Sequence, residues 1–212
     1  MKRVFILAVM VIFLCGCSNI NKVSKDKIID DAINSKHIHT NKVKIGFSYY
    51  KPALMTVLET TRSNEVLRHN NDLYYLYVDT IAYYNKIENT YEENDISYYS
   101  KRIDHKNKSG YIEINEVKDK QYLIEIMYNY AKIEVMVDKS RINEAIAYSM
   151  SILSSIKYND IVIKGSLGKD VFNTFEENVD IFKTKGIDKN TLKYVEDSRY
   201  DKDVIPDMDL VN

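Results

Sequence analysis

The chain has 212 residues, 30 of them basic and 31 acidic, with 45% apolar residues, six Gly, two Pro and no Trp. Near-neutral charge without a basic stripe gives no support to nucleic acid as a partner, and the length suits one domain with a sizeable core rather than two. Cysteine occurs only at positions 15 and 17, which excludes a disulfide framework, thiol catalysis and cysteine-bound metal in the chain beyond Cys17.

Lys2 and Arg3 precede an unbroken apolar run over residues 4–14, closed by Cys15-Gly16-Cys17. A short positive segment followed by an apolar run too short to span a bilayer is the layout of a secretory signal. The ending Leu14-Cys15-Gly16-Cys17 resembles the lipobox of bacterial lipoproteins, with Cys15 departing from the small apolar residue usual at its position. The resemblance implies cleavage after Gly16 and a diacylglyceryl group on Cys17, the new N-terminus. The alternative is an ordinary cleaved signal with an incidental cysteine. Two acyl chains anchor firmly where one binds marginally. The expectation is a chain on the extracytoplasmic face of the cell membrane, lipid-anchored at Cys17. Losing Lys2 and Arg3 with the signal leaves 28 basic against 31 acidic residues. The heavy use of Lys, Asn, Ile and Tyr matches an AT-rich genome, which weakens the 18 tyrosines as a functional signal.

Residues 18–42 are polar and lysine-rich apart from Ile28, Ile29, Ala32 and Ile33, which suit a brief amphipathic helix over 26–34. That segment reads as a tether. Val43, Ile45, Phe47 and Tyr49 alternate with Lys44, Gly46 and Ser48, which predicts a half-buried strand stopped by Pro52. Strands follow over 54–61 and 65–69, then the turn Asn70-Asn71-Asp72. Residues 73–84, LYYLYVDTIAYY, are apolar or aromatic on both faces, which predicts a central strand, or one bending between layers, with Asp79 in its middle. A charged loop over 86–95, a strand over 96–103 and a polar turn closed by Gly110 come next.

Three strands over 111–117, 121–128 and 131–137 are joined by turns so short that they must be antiparallel neighbours, a meander. In the third, Ala131, Ile133, Val135 and Val137 face the core, and Lys132 and Glu134 face water. Asp138 or Ser140 can cap a helix reaching about Lys157. Its stripe of Ile142, Ala145, Ile146, Ser149, Met150, Leu153 and Ile156 faces the sheet, with Arg141, Glu144, Tyr148 and Ser155 opposite. Residues 161–163 read as a short terminal strand. Past Gly165 and Gly168, the spacing of Val171, Phe172, Phe175, Val179 and Phe182 predicts a second helix ended by Gly186, then a short one reaching Tyr194. The acidic tail is expected to be disordered.

These elements make an α+β fold: an antiparallel sheet of about seven or eight strands, ending in the meander and covered by an amphipathic helix, with a helical segment appended. The expected parts are a signal peptide (1–16), a lipidated tether (17–42), the α+β domain (43–164), the appended segment (165–194) and the tail (195–212). The stretches IGFSYYKPALMTVLE and AIAYSMSILSSIKYND resemble the opening strand and sheet-covering helix of Mog1/PsbP-like domains, over residues 43–163. That resemblance implies a sheet flanked by helices and a binding role, and it supplies no catalytic residues. A β-cup carrying lipophilic cargo is the rival fold.

Motifs for chemistry are sparse. His37-x-His39 lies in the expected tether, and His69 and His105 stand alone in turns, so solvated histidines and no metal are expected. Asp201-x-Asp203 and Asp207-x-Asp209 lack the glycine and glutamate of a calcium loop. Gly165-Ser-Leu-Gly168-Lys169 lacks phosphate-loop spacing, and no serine sits in a GxSxG elbow. Glu113, Glu116, Glu125 and Glu134 lie on neighbouring meander strands, where two could converge as a glycosidase pair does; alternating solvent-facing charge explains them without a site. Asp79 is the candidate buried acid, with a bend toward solvent or a tyrosine hydrogen bond as the plainer account.

The doublets Tyr74-Tyr75, Tyr83-Tyr84 and Tyr98-Tyr99, like Tyr49-Tyr50, send one ring to each face of a strand. Tyr74, Tyr75, Tyr83, Tyr84, Tyr98 and Tyr99 are therefore the candidate binding residues, although strand propensity accounts for them without a partner. The functional expectation is a binding or accessory module of an envelope assembly, with a protein or glycan partner, no cofactor and no enzymatic chemistry. The alternatives are a carrier of lipophilic cargo and an envelope hydrolase using carboxylates.

Overall fold

Period-two alternation and turns too short for a crossover build the middle of this chain into antiparallel sheet. The structure, a computed structural model, describes residues 20–35, 39–87 and 89–166. In chain order the elements are α1 (Lys25–Asn34), β1 (Lys42–Val43), β2 (Phe47–Tyr49), β3 (Thr56–Thr60), β4 (Asn64–His69), β5 (Asp72–Val78), α2 (Thr80–Asn85), β6 (Tyr99–His105), β7 (Lys108–Glu116), β8 (Gln121–Tyr128), β9 (Ala131–Asp138), α3 (Ile142–Ser155), β10 (Lys157–Tyr158) and α4 (Asp160–Ser166). The fold is α+β. Seven strands form one sheet in the order β3-β4-β5-β9-β8-β7-β6, and a small second sheet has the order β1-β2-β10. Every strand pairing among the described residues is antiparallel, and β6 to β9 run as a meander.

Register gives the large sheet two distinct ends. Gln121 opposite Asp138, Tyr122 opposite Glu116 and Tyr99 opposite Ile114 mark one, the Asp138 end. Tyr128 opposite Ala131, Val78 opposite Ala131 and Asn64 opposite Tyr77 mark the other, the Asn129 end.

One face of the sheet is core. Tyr74, Leu76, Val78, Ile112, Ile114, Ile124, Ile126, Ile133, Val135 and Val137 are all buried there, and the predicted stripe of α3 is buried in full. Ile124, Ile126, Ile133, Val135, Ile146 and Leu153 have no exposed surface at all, so no void wide enough for water lies against them. Asp138 flanks α3 through the short 3-10 turn Lys139–Arg141, but its carboxylate accepts from Arg141 rather than capping. Ser155, placed by periodicity on the wet side, is buried; its hydroxyl donates to the Ile152 carbonyl and accepts from the Tyr50 amide at 2.8 Å.

The expected tether is largely part of the fold. The Ser24 hydroxyl caps α1, and Ile28 and Ile29 are buried in the core cluster, with α1 packed on α3. A ten-residue helix is marginal alone, and here its apolar face is covered by a helix more than a hundred residues away. α1 therefore lies against α3 and reaches the edge strand β6 through Asp26.

Three further expectations change. The strand predicted from Val43 to Tyr49 is the hairpin β1–β2, because Gly46 adopts φ 89°, a conformation that reverses the chain and that side chains resist. The strand predicted over 73–84 stops at Val78, and Tyr83 and Tyr84 lie on α2. Residues 161–163 are helical, within α4, instead of a strand. The predicted helices over 169–185 and up to Tyr194, the acidic tail and the signal peptide with Cys17 lie outside the described residues.

At Gly110 of β7 the backbone of β8 passes close by. A Cβ there would overlap the Met127 carbonyl oxygen and stand 2.7 Å from Tyr128 Cα. Gly110→Ala should cost about 3 kcal/mol in urea denaturation, at the upper end for overpacking. Gly165→Ala, whose Cβ would meet nothing within 4 Å, should not destabilise.

Candidate functional site

The hairpin β1–β2 reverses so tightly that half of its apolar alternation faces outward. Phe47 and Tyr49 enter the core, whereas Val43 is 82% exposed and Ile45 57% exposed. The hairpin is held by strand pairing and by Asn41, whose side chain accepts from the Lys51 amide at 2.7 Å and donates to the Lys51 carbonyl at 2.8 Å. Val43, Lys44 and Ile45 face Thr60, Thr61 and Arg62 of the β3–β4 turn across an open groove of about 650 Å³. This groove lies at the Asn129 end of the sheet.

Its floor is a polar cluster. Glu65 shares the core face of β4 with Leu67 and is buried. The Tyr49 hydroxyl donates to Glu65 Oε2, the Thr60 hydroxyl to Oε1 at 3.0 Å, and Lys44 Nζ stands 3.3 Å from Oε1. Burial, and then the Glu65 carboxylate, push the Tyr49 phenol far above its ordinary value. The Lys44 ammonium is thereby neutralised and fixed, leaving the exposed Arg62 on the rim. α4 backs the same turn: the Asn159 amide donates to the Gly46 carbonyl at 2.8 Å, and Ile161 of α4 is 86% exposed. The sequence signal for Glu65 is its spacing: it sits two residues before Leu67, on the same face of the strand.

The candidate tyrosines are dispersed rather than gathered on adjoining strands, since β9, β8 and β7 separate β5 from β6. Tyr74 is core, and burial holds its phenol well above the usual value. Tyr75, half-buried on the opposite face, lies between Val66 and Glu134. Tyr83 stacks on Tyr158 at 3.7 Å, carries Lys86 over its ring at 3.8 Å and donates to Asp160 at 2.9 Å; Tyr84 is half-buried beside it. Exposed Tyr98 meets Tyr122 edge-on at 4.9 Å, and Tyr99 donates to Asp26 of α1 at 3.0 Å. Asp79 is the N-cap of α2 instead of a mid-strand acid. Its carboxylate accepts from the Ala82 amide at 2.7 Å; burial pushes its pKa up, and the amides of Ala82 and Ile81 and the Tyr77 hydroxyl pull it back.

The meander glutamates do converge. Glu113, Glu125 and Glu134 stand directly opposite one another on β7, β8 and β9. Like charges so placed repel unless neutralised. Lys132 Nζ lies 2.7 Å from Glu134 and 3.9 Å from Glu125, and the Tyr111 hydroxyl donates to Glu125. Glu134 and Lys132 are only 1% and 3% exposed, so this part of the face is not the wet one expected. The connection from α2 to β6 crosses it: Tyr91 stacks on Tyr111 at 4.1 Å and donates to Glu113 at 2.7 Å, and Asn94 donates to Glu113 at 3.1 Å. Burial pushes the Tyr91 phenol up to about 12. These carboxylates thus hold a connection down on the sheet. Glu116, beyond the row, is exposed.

His69 is also buried, with its ring 4.5 Å from that of Tyr148, whereas His39 is exposed. Among the described residues no three His, Cys, Asp or Glu side chains group to hold a metal, and no helix is long and apolar enough to cross a membrane. Comparison with protein-family models, curated proteins and solved structures found no match.

Proposed function

We propose that the protein is a lipoprotein, anchored at Cys17 on the extracytoplasmic face, that works as a binding module of an envelope assembly and takes a protein partner at the Val43–Ile45 groove. The observation that carries this reading is the outward pair Val43 and Ile45 on a braced hairpin. Single exposed apolar residues are ordinary, but here two share one tight turn and line one groove. Apolar walls with a rim guanidinium at Arg62 suit a partner segment that pairs an apolar side chain with a carboxylate.

A photo-crosslinking residue at Ile45, in cells, should capture one discrete partner. The double variant Val43→Asp/Ile45→Asp should lose that complex with its unfolding midpoint unchanged, since neither side chain supports the core. A complex that survives the double substitution would place the partner elsewhere.

A further inference from the structure

The way the chain enters the domain limits how the domain can stand on a membrane. Asn143, at the start of α3, donates its side-chain amide to the carbonyls of Ile20 at 3.0 Å and Val23 at 2.8 Å. The backbone is therefore tied down from Ile20 onward. Tyr99 and Lys101 of β6 both engage Asp26, which fixes the first turn of α1 to that edge strand. Only three residues lead from Cys17 to Ile20, a reach of roughly 10 Å when fully extended. The headgroup region of a single leaflet is itself roughly 5–7 Å deep. An acyl-bearing Cys17 leaves no length for a spacer.

The end of the sheet held in this way is the Asp138 end. Ile96 and Tyr98 are exposed there, with Lys25 5.1 Å and Lys139 5.5 Å from the Tyr98 ring centre. Lys22 is exposed one turn before α1. Of the acids at this end, Asp26 is paired with Lys101 and both Asp72 and Asp138 with Arg141, while Asp95 beside Ile96, Glu116 at the end of β7 and Asp119 are exposed. A tyrosine and an isoleucine among lysines have the character of a bilayer interface, where rings sit at headgroup depth and ammonium groups reach out to phosphate.

We propose that the Asp138 end is a membrane-contact surface, seated on the phospholipid headgroup layer through Ile96, Tyr98, Lys25 and Lys139, so that the Val43–Ile45 groove at the opposite end points away from the bilayer. This rests on the lipid anchor at Cys17.

The sequence contains no Trp, so a single introduced Trp reports alone. Full-length lipidated Ile96→Trp and Tyr98→Trp proteins, reconstituted in phosphatidylglycerol–phosphatidylcholine vesicles with bromines high on the acyl chains, should lose emission relative to unlabelled vesicles. Ile161→Trp, at the far end, should lose none. Flotation with the vesicles and acyl label on Cys17, absent in Cys17→Ala, are read on the same samples. A protein that carries no acyl group and does not float overturns the anchor and this inference together. One that floats while Ile96→Trp and Tyr98→Trp keep full emission, or while Ile161→Trp is quenched equally, overturns the orientation and leaves the anchor standing.

Discussion

Lys132→Met should lower the unfolding free energy by about 3–5 kcal/mol, the usual cost of removing one partner from a buried ion pair. Lys132 and Glu134 are both buried, and the ammonium lies 2.7 Å from Glu134 and within 3.9 Å of Glu125. Removing it leaves two carboxylates, already opposite one another, in a site with little water. The loss is larger than the worth of the pair, because the desolvation of Glu134 is no longer offset. The double variant Lys132→Met/Glu134→Met should therefore recover most of the stability, and chemical denaturation of wild type, single and double variants measures it. Were Lys132→Met as stable as the wild type, this part of the sheet face would be open to water in solution.

Leu153→Ala should cost about 2–5 kcal/mol, with the exact figure set by how far α3 can settle onto the sheet to close the gap. Leu153 has no exposed surface and lies on the α3 stripe with Ile146 and Met150. α1 packs against α3, and its Ile28 and Ile29 are buried in the same core cluster. Glu144→Ala, on the partly exposed side of the same helix, should change stability by less than about 0.5 kcal/mol in the same assay. Equal effects would mean that α3 presents a different face to the sheet.

The two ends of the domain carry different surfaces for reasons that trace to local chemistry. At the Asn129 end, one glycine at positive φ turns a strand into a hairpin and leaves Val43 and Ile45 outside. At the Asp138 end, one asparagine side chain binds the entering backbone and shortens the lead from Cys17 to three residues. Variants at Val43 and Ile45 act on the proposed partner surface, and those at Ile96 and Tyr98 act on the proposed membrane surface. The length of the sheet separates them.

Elements whose partners are their chain neighbours are legible in the sequence. The strands from Lys108 to Asp138 and the helix that follows were legible because short turns force antiparallel pairing and because one stripe of α3 is apolar throughout. Tertiary structure alone decided what lies against what over distance. Alternation in β9 looks the same whether Lys132 and Glu134 meet water or a crossing connection, so their burial could not be read from pattern. The convergence of Glu113, Glu125 and Glu134 is a matter of register across three strands. α1 reads as a tether because its ten residues cannot hold a helix on their own, and α3, which buries Ile28 and Ile29, comes more than a hundred residues later. Asp79 is out of place only in a strand that continues past Val78; where the chain bends into α2, a carboxylate at that point is simply the cap the first turn requires.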